Sequence, residues 1–164
     1  MKLNIPRVVK NWKYASQISL NDINFQENTI GHGRRFSIQD EASFWNEAFQ
    51  EFNLIPDKIE PLFKNLIGNH YLDGAHTHKH KDPSPSGYVH TRCNLMIKKP
   101  TIGGNPIIDG EEFNIEVNDL WLNLASLEEH SSTPIYGGER LIFSFGALIK
   151  VDKIKNILHD KSFK

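Results

Sequence analysis

The stretch His80-Lys81-Asp82 is central to the expected fold. If its side chains bind a metal ion, further ligands must come from residues that are distant in sequence. Along an extended chain, side chains two residues apart point to the same side, so the His80 imidazole and the Asp82 carboxylate can bind one metal ion. His130 and Arg140 follow much further along the chain. We expect His130 to be the third metal ligand. We expect the planar guanidinium of Arg140 to hold a carboxylate through two parallel hydrogen bonds.

Two histidines and one carboxylate are the ligand set typical of non-haem Fe(II) sites, where they occupy one face of the metal and leave other positions open. A bare His-x-Asp pattern often arises by coincidence, so its context matters. Here the three candidate ligands fall within a run of strand-like segments, and Arg140 opens the next strand. His78 is a competing ligand, but it has no acidic residue two positions later. The pattern therefore favours His80, Asp82 and His130.

Composition narrows the class of protein. The 164 residues suit one domain, and 38% hydrophobic and 24% charged residues are ordinary for a globular chain. A formal net charge of −1 gives no general attraction to nucleic acid or to an anionic membrane. The single cysteine, Cys93, excludes an internal disulfide and a cysteine-based zinc site. With no signal-peptide pattern and no apolar run of membrane-spanning length, we expect a cytoplasmic protein without membrane partners.

The first part of the chain is predicted to form short strands and loops over 1–36, with an exposed turn at Gly31 to Arg35, and then two helices. Ser37 and Asp40 have the spacing of a capping box before the first helix. Its apolar stripe consists of Trp45, Ala48, Phe49 and Phe52. A second helix is predicted to start near Asp57. Its stripe consists of Ile59, Leu62, Phe63 and Leu66.

The rest of the chain is predicted to be mostly β-structure. Alternation and turn residues predict strands over 66–72, 76–80, 88–98, 106–108, 113–117, 120–125, 131–135 and 140–149. Asp109-Gly110 is a hairpin signal, and a short C-terminal helix follows the last strand. Many short strands with polar turns, preceded by helices, predict a mainly β fold with flanking helices. We expect a jelly-roll-like barrel with the N-terminal helices packed outside.

Several motifs resemble the Fe(II)/2-oxoglutarate-dependent oxygenases of the prolyl-hydroxylase-like type. The matching segments are Asn69 to Gly74 followed by His80, Arg92 to Gly110, Glu129 to Pro134, and Gly137 to Gly146. The likeness covers about residues 56–149. It implies a double-stranded β-helix, as in cupins. We expect one domain over 1–164, with strands, loops and two helices in 1–66, the double-stranded β-helix in 67–149, and a C-terminal helix in 150–164.

The resemblance also implies cofactors and a reaction. It implies Fe(II) held by His80, Asp82 and His130, 2-oxoglutarate as cosubstrate with its 5-carboxylate on Arg140, and O2. The expected reaction hydroxylates a C–H bond of an amino acid, a peptidyl residue or a small metabolite, with release of succinate and CO2. Many members carry a serine two residues after the arginine, where this chain has Ile142. The nucleic-acid demethylase branch has a second arginine where this chain has Gly146, so nucleic acid is not the expected partner.

Other polar residues are candidates for contacts with the cosubstrate. Ser144 is predicted to share a strand face with Arg140, and Tyr71, Asn69 and Asn94 are further candidate donors. Their alternative interpretation is that of core polar groups satisfied within the protein. A second hypothesis for the whole chain is a metal-binding β-barrel that binds a ligand without oxidising it. The substrate and the oligomeric state do not follow from the sequence.

Overall fold

The computed structural model describes residues 1–18, 23–30, 33–38, 44–59 and 66–163, with the backbone alone at 23–30, 33–38, 59 and 66. Strands dominate this part of the chain, and the helices are short. In chain order the elements are β1 (Val8–Val9), β2 (Ile23–Ile30), β3 (Gly33–Ile38), α1 (Trp45–Gln50), β4 (Lys58–Ile59), β5 (Leu66–Tyr71), β6 (Tyr88–Lys98), β7 (Pro106–Ile108), β8 (Glu111–Glu112), β9 (Leu120–Asn123), β10 (His130–Ser132), β11 (Arg140–Lys150) and α2 (Val151–Lys155). A single turn of 3₁₀-helix covers Ala15–Gln17.

The strands form two antiparallel sheets, an architecture consistent with the jelly-roll class. The larger sheet has the order β1-β9-β6-β11-β5-β3-β2, and β4 also pairs with β11. The smaller sheet has the order β10-β7-β8. The two long central strands, β6 and β11, pair along nearly their whole length. They form the scaffold to which the remaining strands of the large sheet are added.

Alternation along β11 gives the large sheet two different faces. Every second residue belongs to the main hydrophobic core: Leu141, Phe143, Phe145, Ala147 and Ile149. Helix α1 covers this face with Ala48 and Phe49, and helix α2 adds Ile154. The intervening residues point to the other face, which is far more polar. A period of two in side-chain direction therefore separates the core from the face that lines a cavity.

The small sheet closes the polar face of the large sheet. Its strand β10 pairs with β7, with His130 opposite Ile108. A second apolar cluster joins this sheet to the polar face and consists of Met96, Ile108, Ile115, Trp121 and Ile142. The cavity between the sheets is therefore lined by residues from both of them.

Several predictions for the strands are confirmed, and others are wrong. Strands β6 and β11 cover the predicted segments, and β5 begins at the predicted residue. His76 to His80 do not form the predicted strand, because this segment is irregular and pairs only through an isolated bridge at His80. The strand predicted over 113–117 is also wrong, since the Asp109-Gly110 hairpin returns over only two residues, Glu111–Glu112.

The first predicted helix is present without its predicted cap, and the second does not start where it was predicted. Helix α1 carries Ala48 and Phe49 into the core as expected, but Ser37 does not cap it, because Ser37 lies within β3. The second helix does not start near Asp57, since Lys58–Ile59 pair with β11 instead. The rest of that predicted helix, 60–65, lies outside the described residues, as do residues 31 and 32 of the predicted turn. Within the described ranges, no helix is long and apolar enough to cross a membrane.

The N-terminal part of the chain contributes strands to the same sheet as the C-terminal part. Strand β1 pairs with β9, and β3 pairs with β5. Residues that show no resemblance to a known family are thus built into the sheet that forms the cavity. The first strand places the segment around Arg7 next to β9, which leads towards His130.

Candidate metal centre

His80, Asp82 and His130 lie together, with one potential ligand atom from each within 4.8 Å of the others. Asp82 Oδ1 is 3.1 Å from His80 Nε2 and 3.9 Å from His130 Nε2. With metal–ligand bonds of about 2.1 Å, two ligands at right angles are about 3 Å apart. The spacing therefore suits three ligands on one face of a single ion.

Backbone hydrogen bonds bring these residues together from two distant parts of the chain. His80 N donates to His130 O at 3.1 Å, and His130 N donates back to His80 O at 2.9 Å. Asp82 N donates to Ala125 O at 2.8 Å. The juxtaposition thus depends on a backbone bridge and on the turn before β10, and not on a regular strand through His80 and Asp82.

The second nitrogen of each imidazole is held by a main-chain oxygen. His80 Nδ1 lies 2.6 Å from His78 O, and His130 Nδ1 lies 2.9 Å from Glu128 O. An Nδ1–H that donates to a carbonyl leaves the Nε2 lone pair free for a metal. Burial lowers the pKa of His130, although the nearby Glu128 carbonyl and Asp82 carboxylate oppose this shift. The lowered pKa favours a neutral His130 imidazole, which is the form that binds metals.

Asp82 is kept ionised by its neighbours. Burial alone would raise its pKa, but the neighbouring His80, His90 and His130 rings outweigh this effect and hold the pKa below its usual value. His90, fully buried on β6, places Nδ1 3.5 Å from Asp82 Oδ2. The carboxylate therefore faces His80 and His130 with Oδ1 and His90 with Oδ2.

The cluster lies in a cavity of about 100 Å³ between the two sheets. A cavity needs roughly 10–15 Å³ to hold one water, so this one has room for several waters or for a small molecule. The His80 side chain is 41% exposed, whereas those of Asp82 and His130 are 13% and 14% exposed. His80 therefore stands on the outer side of the cluster, and the cavity extends inward from it.

Arg140 lines the same cavity and is buried, with 4% of its surface exposed. Its Nε donates to Gly104 O at 2.7 Å, and its guanidinium lies 5.4 Å from the centre of the Tyr71 ring. Burial lowers the pKa of Arg140 to about 10, so the group stays charged at neutral pH. In the described part of the chain no carboxylate forms an ion pair with it. A buried cation needs an anionic partner, and a ligand carboxylate in the cavity would supply one.

The turn that holds Arg140 Nε uses two glycines with left-handed backbone conformations. Gly103 has φ +76° and Gly104 has φ +83°. A Cβ on Gly103 would lie 1.8 Å from Pro134 O, so no other residue fits there without displacing the backbone. The Gly104 carbonyl is thereby fixed in the position where it accepts the hydrogen bond from Arg140.

The four other predicted site residues all line the cavity. Strand register explains this, because directly opposed residues of antiparallel strands share a face. Tyr71 lies opposite Arg140, Asn69 opposite Ile142, and Asn94 opposite Ser144. Tyr71 OH already has a partner in Thr77 Oγ1 at 2.7 Å, and Ser144 Oγ accepts from Arg92 at 3.2 Å. These two hydroxyl groups are therefore held in place by contacts within the protein.

Arg92 is the main cavity residue that the sequence reasoning missed. It is 6% exposed, lines the cavity, and donates to both the carbonyl and the hydroxyl of Ser144. Its guanidinium occupies the space that a side chain on Gly146 would need, since a Cβ added there would lie 2.8 Å from Arg92 Cζ. The sequence does indicate this position, because Arg92 and Asn94 are two residues apart in a predicted strand and therefore share a face.

Trp121 and Asn123 line the cavity from β9, the neighbour of β6 in the large sheet. The Asn123 side chain is 6% exposed, and its Oδ1 accepts no hydrogen bond within the described structure. Three lysines of the described structure are each paired with a glutamate. Lys79 pairs with Glu129, Lys98 with Glu139, and Lys99 with Glu116. These pairs give the surface mixed charge.

Comparisons with known proteins concern the fold. No protein family model matches the sequence, and no curated protein matches it significantly. A prolyl-4-hydroxylase from Pseudomonas putida is structurally similar, with a TM-score of 0.55 and 19% identity over 79% of this chain and 78% of that one. A viral collagen prolyl hydroxylase from Paramecium Bursaria Chlorella virus-1, solved as a 2OG complex, gives a TM-score of 0.55 and 13% identity over 73% and 80%. Identities this low establish a shared fold alone.

Proposed function

We propose that this chain is an Fe(II)- and 2-oxoglutarate-dependent oxygenase built on a double-stranded β-helix. The observation that carries the proposal is the combination of His80, Asp82 and His130 in one cluster with Arg140 buried in the same cavity. Two fold neighbours are prolyl hydroxylases, one of them in a 2OG complex, which supports the same class of reaction. Fe(II), 2-oxoglutarate and O2 are the proposed cofactor and cosubstrates.

The residues present fit this group chemically. Two imidazole nitrogens and one carboxylate oxygen suit Fe(II), and their grouping on one face leaves positions for a bidentate cosubstrate and for O2. The cavity has room for a small molecule beside the candidate ligands, and Arg140 also lines it. The cosubstrate is a dianion, and Arg140 offers a buried positive charge for its distal carboxylate.

Each residue has a separate task in the proposed mechanism. His80, Asp82 and His130 hold the metal, while Arg140 orients the cosubstrate by binding its 5-carboxylate. Tyr71 packs against the Arg140 guanidinium and limits its movement. Asn69, Asn94 and Ser144 line the space between these groups as further hydrogen-bonding residues. The protein thus binds, orients and shields the reactants.

The bound metal would supply the oxygen chemistry, which couples decarboxylation of 2-oxoglutarate to hydroxylation of a substrate C–H bond. The chain's own contribution is exclusion of water from the inner wall, where Ile108, Trp121 and Ile142 pack together. The proposed substrate is an amino acid, a peptidyl residue or a small metabolite. It approaches from the side of His80, the most exposed of the three candidate ligands.

Formation of succinate tests the proposed reaction. Purified protein with Fe(II), 2-oxoglutarate and O2 is incubated with a panel of free amino acids, peptides and small metabolites, and succinate is measured. We expect succinate above the substrate-free rate with at least one class of compound. The Asp82→Ala variant should show none, because one of three metal ligands is missing. Equal succinate formation by wild type and Asp82→Ala would contradict the proposal.

A second candidate function is a metal-binding β-barrel that binds a ligand without oxidising it. One observation favours it: Ile142, which stands where many oxygenases of this type carry a serine, is 3% exposed and packs in an apolar cluster. This position therefore offers no hydroxyl to a cosubstrate. The second candidate predicts tight binding of Zn²⁺ or Ni²⁺ with no change of melting temperature on addition of 2-oxoglutarate.

A further inference from the structure

The turn formed by residues 124–128 contacts two of the candidate metal ligands, Asp82 and His130. Leu127 N and Glu128 N both donate to Leu124 O, which closes the turn. Ala125 O accepts from Asp82 N at 2.8 Å, and Glu128 O accepts from His130 Nδ1 at 2.9 Å. A change in the shape of this turn would therefore move Asp82 and His130 relative to each other.

The conformation of the turn is fixed from inside by the Glu128 side chain. This carboxylate is completely buried, and its Oε1 accepts from Leu124 N at 2.8 Å, across the start of the same turn. A buried carboxylate requires charge-assisted partners, because removing it from water is costly. The main-chain amide of Leu124 supplies one hydrogen bond but no positive charge.

Arg7 supplies a buried positive charge, and the Met1 ammonium supplies a second by donating to Glu128 Oε2 at 3.2 Å. Its Nη1 donates to Glu128 Oε1 at 2.9 Å and its Nη2 to Oε2 at 2.6 Å, a two-pronged contact. Nη1 also donates to Leu122 O, and Leu122 N donates to Arg7 O, so Arg7 is anchored to β9 immediately before the turn. The Arg7 side chain is only 9% exposed. Water therefore weakens this ion pair less than one on the surface.

We propose that Arg7 and Glu128 are positioning residues of the metal centre: the pair locks the 124–128 turn so that Asp82 and His130 are held in the arrangement that binds metal. The inference rests on the proposed function, because it assumes that the cluster binds a metal. It gives the N-terminal segment, which shows no resemblance to a known family, a defined part in that site. Partners that orient metal ligands typically contribute about 10- to 100-fold to metal affinity.

A double variant tests the proposal without leaving a buried charge unpaired. In Arg7→Met/Glu128→Gln both charges are removed, while the Gln amide oxygen can still accept from Leu124 N. We expect the Kd for Co²⁺, used alone as an optical probe, to rise about 10- to 100-fold. The measurement is an absorption titration well below the melting temperature of each metal-free variant, with circular dichroism to verify the fold.

The matched control is Lys10→Met, which breaks another ion pair of the same N-terminal segment. Lys10 bonds to Asp119, whose carboxylate also accepts from Asn11 N and Glu116 N, away from the 124–128 turn. This variant should leave the Co²⁺ Kd within about twofold of wild type, whatever it does to thermal stability. Arg7→Lys keeps the charge but loses the two-pronged contact, so its Kd should fall between those of wild type and the double variant.

The outcomes separate this inference from the proposed function. If wild type binds no Co²⁺, the proposed metal centre is wrong and the inference fails with it. If wild type binds Co²⁺ and the folded double variant binds it equally well, the Arg7–Glu128 ion pair contributes to stability alone and only the inference is overturned. If the double variant does not fold, the Arg7→Lys variant decides. A Co²⁺ Kd raised severalfold supports the positioning role of the ion pair, and an unchanged Kd overturns it.

Discussion

Replacing His130 by alanine should raise the Kd for Fe(II) by more than about 100-fold, beyond the range expected for loss of a mere supporting contact. The variant loses one of the three ligand atoms that surround the candidate metal position. Because the cosubstrate is expected to bind through the metal, its binding should be lost together with the iron. Anaerobic titration with Fe(II) measures the first effect, and the shift of melting temperature by 2-oxoglutarate in the presence of Fe(II) measures the second.

His76→Ala is the matched control for loss of an imidazole near the site. His76 is exposed, and its ring packs against His78, outside the cluster. This variant should bind Fe(II) as wild type does. Wild-type iron affinity in His130→Ala would show that His130 is not a ligand, and His78 would have to be reconsidered.

Replacing Arg140 by lysine should raise the dissociation constant for 2-oxoglutarate about tenfold to a hundredfold. A hydrogen bond to a charged group contributes about 1.5–3 kcal/mol, and each 1.4 kcal/mol is a factor of ten in affinity. Lysine keeps the charge but cannot make two parallel hydrogen bonds to a carboxylate. It also loses the Nε–H that donates to Gly104 O. Titration of the Fe(II)-loaded protein with 2-oxoglutarate under anaerobic conditions measures the change.

Fe(II) affinity without cosubstrate is the internal control for Arg140→Lys. Arg140 does not belong to the ligand cluster, so we expect this affinity to stay within about twofold of wild type. Loss of iron binding in Arg140→Lys would indicate a distorted cavity. Unchanged binding of 2-oxoglutarate would contradict the assignment of Arg140 as the carboxylate partner.

The sequence predicted the parts of the fold that are encoded locally. The alternation of Leu141, Phe143 and Phe145 with Arg140, Ile142 and Ser144 marks a strand with one apolar and one cavity face, and β11 has this arrangement. The same alternation, together with the antiparallel register, explains why five of the predicted site residues line one cavity: Arg140, Ser144, Tyr71, Asn69 and Asn94. The prediction of a second helix is wrong because Lys58–Ile59 pair with β11 in the centre of the sheet. That tertiary contact overrides the helical spacing of the apolar residues.

The details of the candidate site depend on contacts that no local pattern encodes. His80 and Asp82 are predicted to point to the same side of an extended segment, yet they are brought together by the His80–His130 bridge and by Ala125 O. Arg7 and Glu128 are separated by 121 positions in the sequence, and neither stands in a recognisable motif. Arg92 was detectable, because a charged residue in the middle of an apolar strand needs a polar environment.

The central claim is that His80, Asp82 and His130 hold Fe(II) together with 2-oxoglutarate. The most direct test is the absorption spectrum of the anaerobic protein, loaded with Fe(II) and then titrated with 2-oxoglutarate. We predict a new metal-to-ligand charge-transfer band that saturates at one cosubstrate per iron. Stably bound iron with no such band at saturating 2-oxoglutarate would contradict the claim.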